Sequence, residues 1–272
     1  MSARPAAAAC LGVLLAAVAG CASTDSPAAA PSSSAPAPAT SASPADPRTP
    51  LQILMAGIPT DTSVAYHFSI TSVDGPTYGV IDPAMKTTEY DVVSGTHYTD
   101  HPDYTMTLKV LSIGKKAWAK VVLVPDNISG LAYIPRRWMV LAPSKIKGGL
   151  PNGLQKDSDP AYAIDILANV SDATQTSPGH FKGITDLTDS GNKIVGATWI
   201  TALGDAATKL PFTAALDAKG RLTTMSVVMP AAAKFPAFTY KLVYDQYATA
   251  TAPKAPTGAI KAIPEVYKWL GY

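Results

Sequence analysis

The side chains able to do chemistry are few and scattered. Four histidines occur, His67, His97, His101 and His180. His97 and His101 stand four apart with Asp100 and Asp103 nearby, a metal-ligand spacing if the segment is a helix. Thr96, Tyr98, Thr99 and Pro102 surround them, which reads as loop or strand. In a strand, residues four apart are separated by roughly 13 Å, too far to share one ion. No Gly-x-Ser-x-Gly elbow occurs, and Ser144-Lys145 lacks the motifs that accompany a serine–lysine nucleophile. Gly148-Gly149 before Pro151 reads as a turn, not a phosphate loop. Asp157 and Asp159 make a carboxylate pair, but Asp159 already suits a helix cap. Asn127-x-Ser129 and Asn169-x-Ser171 match sequons by chance. Arg136-Arg137-Trp138 reads as a basic turn over an aromatic more readily than as a headgroup contact. An enzyme, a metal site and a cofactor are therefore not expected.

What remains is apolar surface in alternating pattern. Tyr66, Phe68 and Ile70 line one face of a strand, and Met106 and Leu108 do so in another. Trp118 lies in an apolar run, and Met225 and Val227 alternate further on, followed by Tyr240 and Leu242. Methionines and aromatics suit adaptable apolar pockets. These ten residues are the candidates for lining a cavity, and an ordinary packed core is the alternative for each.

The elements that position them follow from periodicity. Thr49-Pro50-Leu51-Gln52 matches a capping box that opens a helix, with Leu51, Leu54, Met55 and Ile58 as its stripe. Strands are expected at 64–71, near 77–82 and 87–94, around Met106–Val110, over 117–124 and at Trp138–Leu141, with Asp74-Gly75-Pro76 as a turn. Residues 117–124 lose their alternation, as a strand covered on both faces does. A second helix, capped by Asp159 and started by Pro160, carries Ala163, Ile166, Leu167 and Val170. Strands then follow near 180–188, 193–201, 211–217, 222–229 and 238–245, and a last helix over Pro264–Leu270. Strands 8–12 residues apart with tight turns form a meander. The fold class is α+β, an antiparallel sheet with helices gathered on one face.

The start of the chain reads as an address. A basic residue, Arg4, precedes the apolar stretch Ala6–Gly20, too short for a bilayer-spanning helix, which needs about 20 residues. Val18-Ala19-Gly20 then lead to Cys21. This resembles the lipobox of bacterial lipoproteins, which implies cleavage before Cys21 and a diacylglyceryl thioether on its sulfur. Residues 22–47 draw 22 of 26 positions from Ala, Ser and Pro, so they cannot bury enough surface to offset their ordering entropy. Extended, such a linker reaches about 80 Å. The expected organisation is 1–20 signal, 21–47 lipidated cysteine and linker, and 48–272 a single domain. Cys10 falls in the signal, so the mature chain has no internal disulfide. Only 15% of residues are charged and the net charge is +2. That balance argues against a nucleic-acid binder.

Four stretches of the domain are similar to the LolA-like lipoproteins, specifically the LppX/LprG group of actinobacteria. They are Lys116-Ala117-Trp118-Ala119-Lys120; Arg137-Trp138-Met139-Val140-Leu141 with Ala142-Pro143-Ser144-Lys145; His180-Phe181-Lys182-Gly183-Ile184-Thr185-Asp186-Leu187-Thr188; and Leu216-Asp217-Ala218-Lys219-Gly220-Arg221-Leu222. Ala142 departs from the family, where Asp is commoner. The resemblance implies a strongly curved sheet, an incomplete β-barrel with helices over its concave face, enclosing acyl chains. It implies a monomer at the outer face of the cytoplasmic membrane, anchored through Cys21, with an acylated lipid or lipoglycan as ligand for transport or sensing. The rival expectation is an envelope sensor or interaction module whose core is filled by side chains. An envelope hydrolase ranks last.

Overall fold

The computed structural model describes residues 46–60, 62–73, 75–96, 104–146 and 159–272. The signal, Cys21, most of the linker, Asp74, His97, Asp100, His101, Asp103, Gly148-Gly149, Pro151 and Asp157 lie outside the described residues. Residues Pro47–Tyr272 form one compact unit that holds both hydrophobic cores.

Its first element is set by local hydrogen bonds. The Gln52 N–H donates to Thr49 Oγ1 at 3.2 Å, and the Thr49 N–H donates to Gln52 Oε1 at 2.9 Å. Two donors that the first turn would leave unpaired are thus satisfied reciprocally. Pro50 costs nothing at the first position, where an N–H has no partner. Helix α1 spans Pro50–Gly57. Leu54 and Ile58 are buried, but Met55 is 37% exposed, so the stripe is narrower than the sequence pattern implies. Thr49→Ala is expected to cost about 1 kcal/mol, read as a lower urea midpoint with unchanged slope.

Among the described residues twelve strands form one sheet. They are β1 (Tyr66–Ser72), β2 (Gly75–Asp82), β3 (Thr87–Thr96), β4 (Tyr104–Ile113), β5 (Lys116–Val124), β6 (Met139–Val140), β7 (Val170–Ser177), β8 (His180–Thr185), β9 (Leu210–Leu216), β10 (Leu222–Met229), β11 (Phe238–Asp245) and β12 (Ile260–Lys261). The order is β12-β6-β5-β4-β3-β2-β1-β11-β10-β9-β8-β7. Two antiparallel meanders, β1 to β6 and β7 to β11, therefore meet at the β1–β11 pair. Within this sheet only β12 on β6 is parallel. Three further helices are α2 (Ala163–Ala168), α3 (Ala197–Leu203) and α4 (Pro264–Trp269). The α+β class and the large antiparallel sheet expected from sequence are present.

Several boundaries differ from the sequence reading. Residues 193–201, expected as a strand, are a 3-10 turn and most of α3. Trp199 and Leu203, four apart, are buried together, and Gly196 at φ +84° and Gly204 at φ +52° bound the helix in conformations other residues resist. Helix α2 starts at Ala163, not Pro160, because Tyr162 at φ 54° breaks any earlier turn. Val170, expected at its end, opens β7, an edge strand exposed along most of its length. In β5, Ala117, Ala119, Val121 and Leu123 face one side, while on the other only Trp118 is buried.

The register places the core on one face. Tyr244, Phe68, Gly79, Tyr90, Val110, Ala119 and Met139 pair in a single row across seven strands. At one end, α1, α2 and α3 bury the first core through Leu54, Ile166, Leu167 and Trp199. At the other, α4 and residues 128–146 bury a second through Val266, Tyr267, Ile134 and Leu141. Tyr90 touches both cores.

Candidate functional site

The inner face gathers most of the residues that the sequence singles out. Tyr66, Phe68, Ile70, Met225, Val227, Tyr240 and Leu242 all belong to the first core, each 5% exposed or less. Leu108 belongs to the second core and Met106 is half-buried against it. Met225, Leu242, Ile70, Thr77, Val92 and Leu108 form a second row parallel to the first. Trp118 is the exception. It pairs with Leu111 across β4–β5 and points to the opposite face, one residue out of phase with Ala117 and Ala119. Trp118 therefore does not line the inner face.

Two glycines shape this face. The Phe68 ring lies over Gly79, where a Cβ would meet it at 2.9 Å, and reaches Tyr90 beyond at 5.8 Å between centroids. Phe212 lies over Gly183 in the same way. Strand glycines with aromatic cover mark places where a sheet bends or backbones approach closely.

A polar patch interrupts the apolar wall where the helices meet the sheet. Asp159 Oδ1 accepts the Tyr244 hydroxyl at 2.7 Å and the Ala161 N–H at 3.1 Å, and Oδ2 accepts the Ile164 N–H at 2.7 Å. The Tyr240 hydroxyl donates to the Ala161 carbonyl at 2.9 Å. The chain leading into α2 is thus tied to β11 by two tyrosines and a carboxylate. Asp159 supports the start of α2, as the sequence pattern implies, but from upstream of the cap position that Tyr162 occupies. Tyr66 packs edge-on against Tyr244 at 5.6 Å, and Tyr247 lies 5.9 Å from Tyr66. Arg221, held by Asp217, covers Tyr247. Sequence reasoning missed this tyrosine–aspartate grouping, since its members come from 66, 159 and 240–247 and only the β1–β11 pairing unites them.

Burial sets the electrostatics of the patch. It pushes the hydroxyls of Tyr240 and Tyr244 well above the ordinary tyrosine range and that of Tyr90 up to about 12. They remain neutral donors. Burial likewise raises the Asp159 carboxyl, against the Tyr244, Ile164 and Ala161 hydrogen bonds that favour its charge. A raised carboxyl takes up a proton more readily folded than unfolded. Its contribution to stability is complete below the unfolded value near about 4 and is lost as pH rises through the folded value. Wild-type stability is therefore expected to fall relative to Asp159→Asn as pH rises above about 4, measured by urea unfolding. Parallel curves would remove Asp159 as the source.

Other polar groups serve structure. Arg136 donates to the Asp126 carbonyl at 2.8 Å and Arg137 to the Gly258 carbonyl at 3.0 Å, which fits the basic-turn reading. His67 and Asp245 pair at 2.7 Å across β1–β11 on the outer face. Asp91 and Lys109 pair on the same face. Among the described residues no group of three or more His, Cys, Asp or Glu side chains is placed to hold a metal ion, and no helix is long and apolar enough to cross a membrane. No family model and no curated protein matches the chain.

Proposed function

We propose that the protein is a lipid-anchored envelope protein that holds an acylated ligand against the inner face of its sheet. The observation that carries this reading is the continuity of that face. Apolar residues run in register from Tyr244 to Met139, beneath two hydrophobic cores that share Tyr90. The helices over these cores are short, eight residues in α1 and six in α2 and α4. Such helices have little stability of their own, and their positions depend on the apolar contacts beneath them. An acyl chain sliding under them would replace those contacts with its own. Each methylene moved off water contributes about 0.8 kcal/mol, and the headgroup stays in water. Phe68 over Gly79 and Phe212 over Gly183 suit the bent, half-open barrel of the LolA-like fold. In this reading Cys21 carries the diacylglyceryl anchor, and residues 22–47 give the domain reach from the membrane.

A second reading rests on a different observation. Tyr66, Phe68, Ile70, Met225, Val227, Tyr240 and Leu242 share one cluster with helix residues Leu54, Ile166, Leu167 and Trp199. A face filled in that way suits an interaction module with no lipid. Native mass spectrometry of residues 47–272, followed by organic extraction, separates the two. A discrete adduct of lipid mass supports the carrier. A bare mass that resists loading with mixed envelope lipids overturns it in favour of the module.

A further inference from the structure

Helix α3 and the β10–β11 turn meet over the first core, and three observations coincide there. The first is a donor without an acceptor. Trp199 is 6% exposed, and its indole N–H is buried with no hydrogen-bond partner among the described residues. Leaving a buried polar group unpaired costs free energy, so such groups are rare and ask for a cause. The second is strained backbone. The Ala232 and Phe235 N–H groups donate to each other's carbonyls at 3.0 and 2.9 Å, closing a tight turn over Ala233 and Lys234. Ala233 sits there at φ +49°, a left-handed conformation that an alanine resists. The third is a recess of about 630 Å³ between α3 and the turn. Ala197, Thr201 and Ala202 of α3 line it with Ala233, Lys234 and Phe235 of the turn.

Phe235 links the three. Its ring lies flat on the Trp199 indole, with centroids 4.8 Å apart and planes 15° from parallel, and it also lines the recess. It is only half-buried. Phe238 lies 5.9 Å from Trp199 on the core side, and both belong to or pack against the first core. Swinging out the one side chain of Phe235 therefore joins the recess to an aromatic shelf. Opening the turn releases the strain at Ala233, which lowers the cost of that motion. An aromatic shelf with one N–H donor fits a flexible apolar chain that carries a carbonyl oxygen. A sugar or nucleotide brings more polar groups than this site could pair.

We infer that this recess binds the ester end of an acyl chain, with Phe235 as its gate and the Trp199 indole N–H as donor to the ester carbonyl. As an acyl site it rests on the reading proposed above, to which it adds a place and a partner atom.

Nitrogen–proton correlation spectra of residues 47–272, titrated with methyl octanoate, test this. The chain has four tryptophans, so the indole region is simple. The Trp199 indole resonance, assigned by its loss in Trp199→Phe, is expected to move downfield on binding, while those of Trp118, Trp138 and Trp269 stay. Trp199→Phe should bind the ester about tenfold more weakly, the loss of one hydrogen bond. In stopped-flow uptake, Ala233→Gly is expected to load about fivefold more slowly, since relief of strain favours the closed turn. Phe235→Ala should load faster. Equal affinity in wild type and Trp199→Phe with no indole shift overturns the site, and unchanged uptake in both turn variants overturns the gate. Should Trp199→Phe fold poorly, the wild-type shift and the Ala233→Gly rate decide alone. Wild type that ignores methyl octanoate but loads mixed envelope lipids loses this site and keeps the carrier reading. Wild type that takes up neither loses both.

Discussion

Gly79→Ala is expected to lower stability by about 3 kcal/mol. The added Cβ would lie 1.9 Å from the Glu89 carbonyl oxygen and 2.9 Å from the Phe68 ring. The closer atom is backbone, so no rotamer change relieves the contact, and the β2–β3 ladder must open. In a domain of this size each kcal/mol shifts the melting temperature by roughly 2–4 °C, which predicts a fall of roughly 6–12 °C. Gly114→Ala is the control. Gly114 sits at φ +58°, and nothing lies within 4 Å of the place its added methyl would occupy. It therefore carries only the conformational penalty, about 1 kcal/mol. A Gly79→Ala protein as stable as Gly114→Ala would show that β2 and β3 are not so closely apposed.

Phe68→Ala is the second large effect, about 4 kcal/mol. Phe68 is fully buried, pairs with Tyr244 and Gly79, and contacts the Tyr90 ring that joins the two cores. Its loss opens a void at the centre of the inner face and uncovers the Gly79 backbone. Phe68→Leu, which refills much of that volume, should lose less than half as much. Equilibrium unfolding of the three proteins checks the order, and an alanine variant within about 1 kcal/mol of wild type would mean that the face collapses freely around the site. Because the added methyl at Gly79 would meet the Phe68 ring, the two substitutions together should cost less than the sum of their separate effects.

Legibility in the sequence tracked how local the cause was. The capping box at Thr49 and Gln52 involves four consecutive residues, and the hydrogen bonds match it. The alternation of Tyr66, Phe68 and Ile70 reports one buried face, and the burial follows it. Where the deciding contact is distant, the pattern misleads. Residues 193–201 are rich in β-branched and aromatic side chains, yet the Trp199–Leu203 pair folds as a helix against Phe235 and Phe238. Strand β7 has no apolar alternation to read, because most of its side chains face solvent and pairing with β8 alone makes it a strand. Strand β12 is two residues long and exists through its parallel contact with β6. Within the candidate site, periodicity marks nine of the ten as inward, and for Trp118 the signal was there but outweighed by its apolar neighbours: Lys116 and Lys120 lie on its side of β5. The Asp159–Tyr244 contact spans 85 positions and has no local signature.

The second core has a consequence for the order in which the chain is made. Its floor comes from β4, β5 and β6, while Ala262, Val266 and Tyr267 supply part of its cover. More than a hundred residues separate the two in synthesis. A nascent chain therefore emerges with Val121, Met139 and Leu141 incompletely covered through the making of the entire β7–β11 meander. Through that interval part of the second core remains open to holdases, until the stretch that carries Ala262, Val266 and Tyr267 emerges.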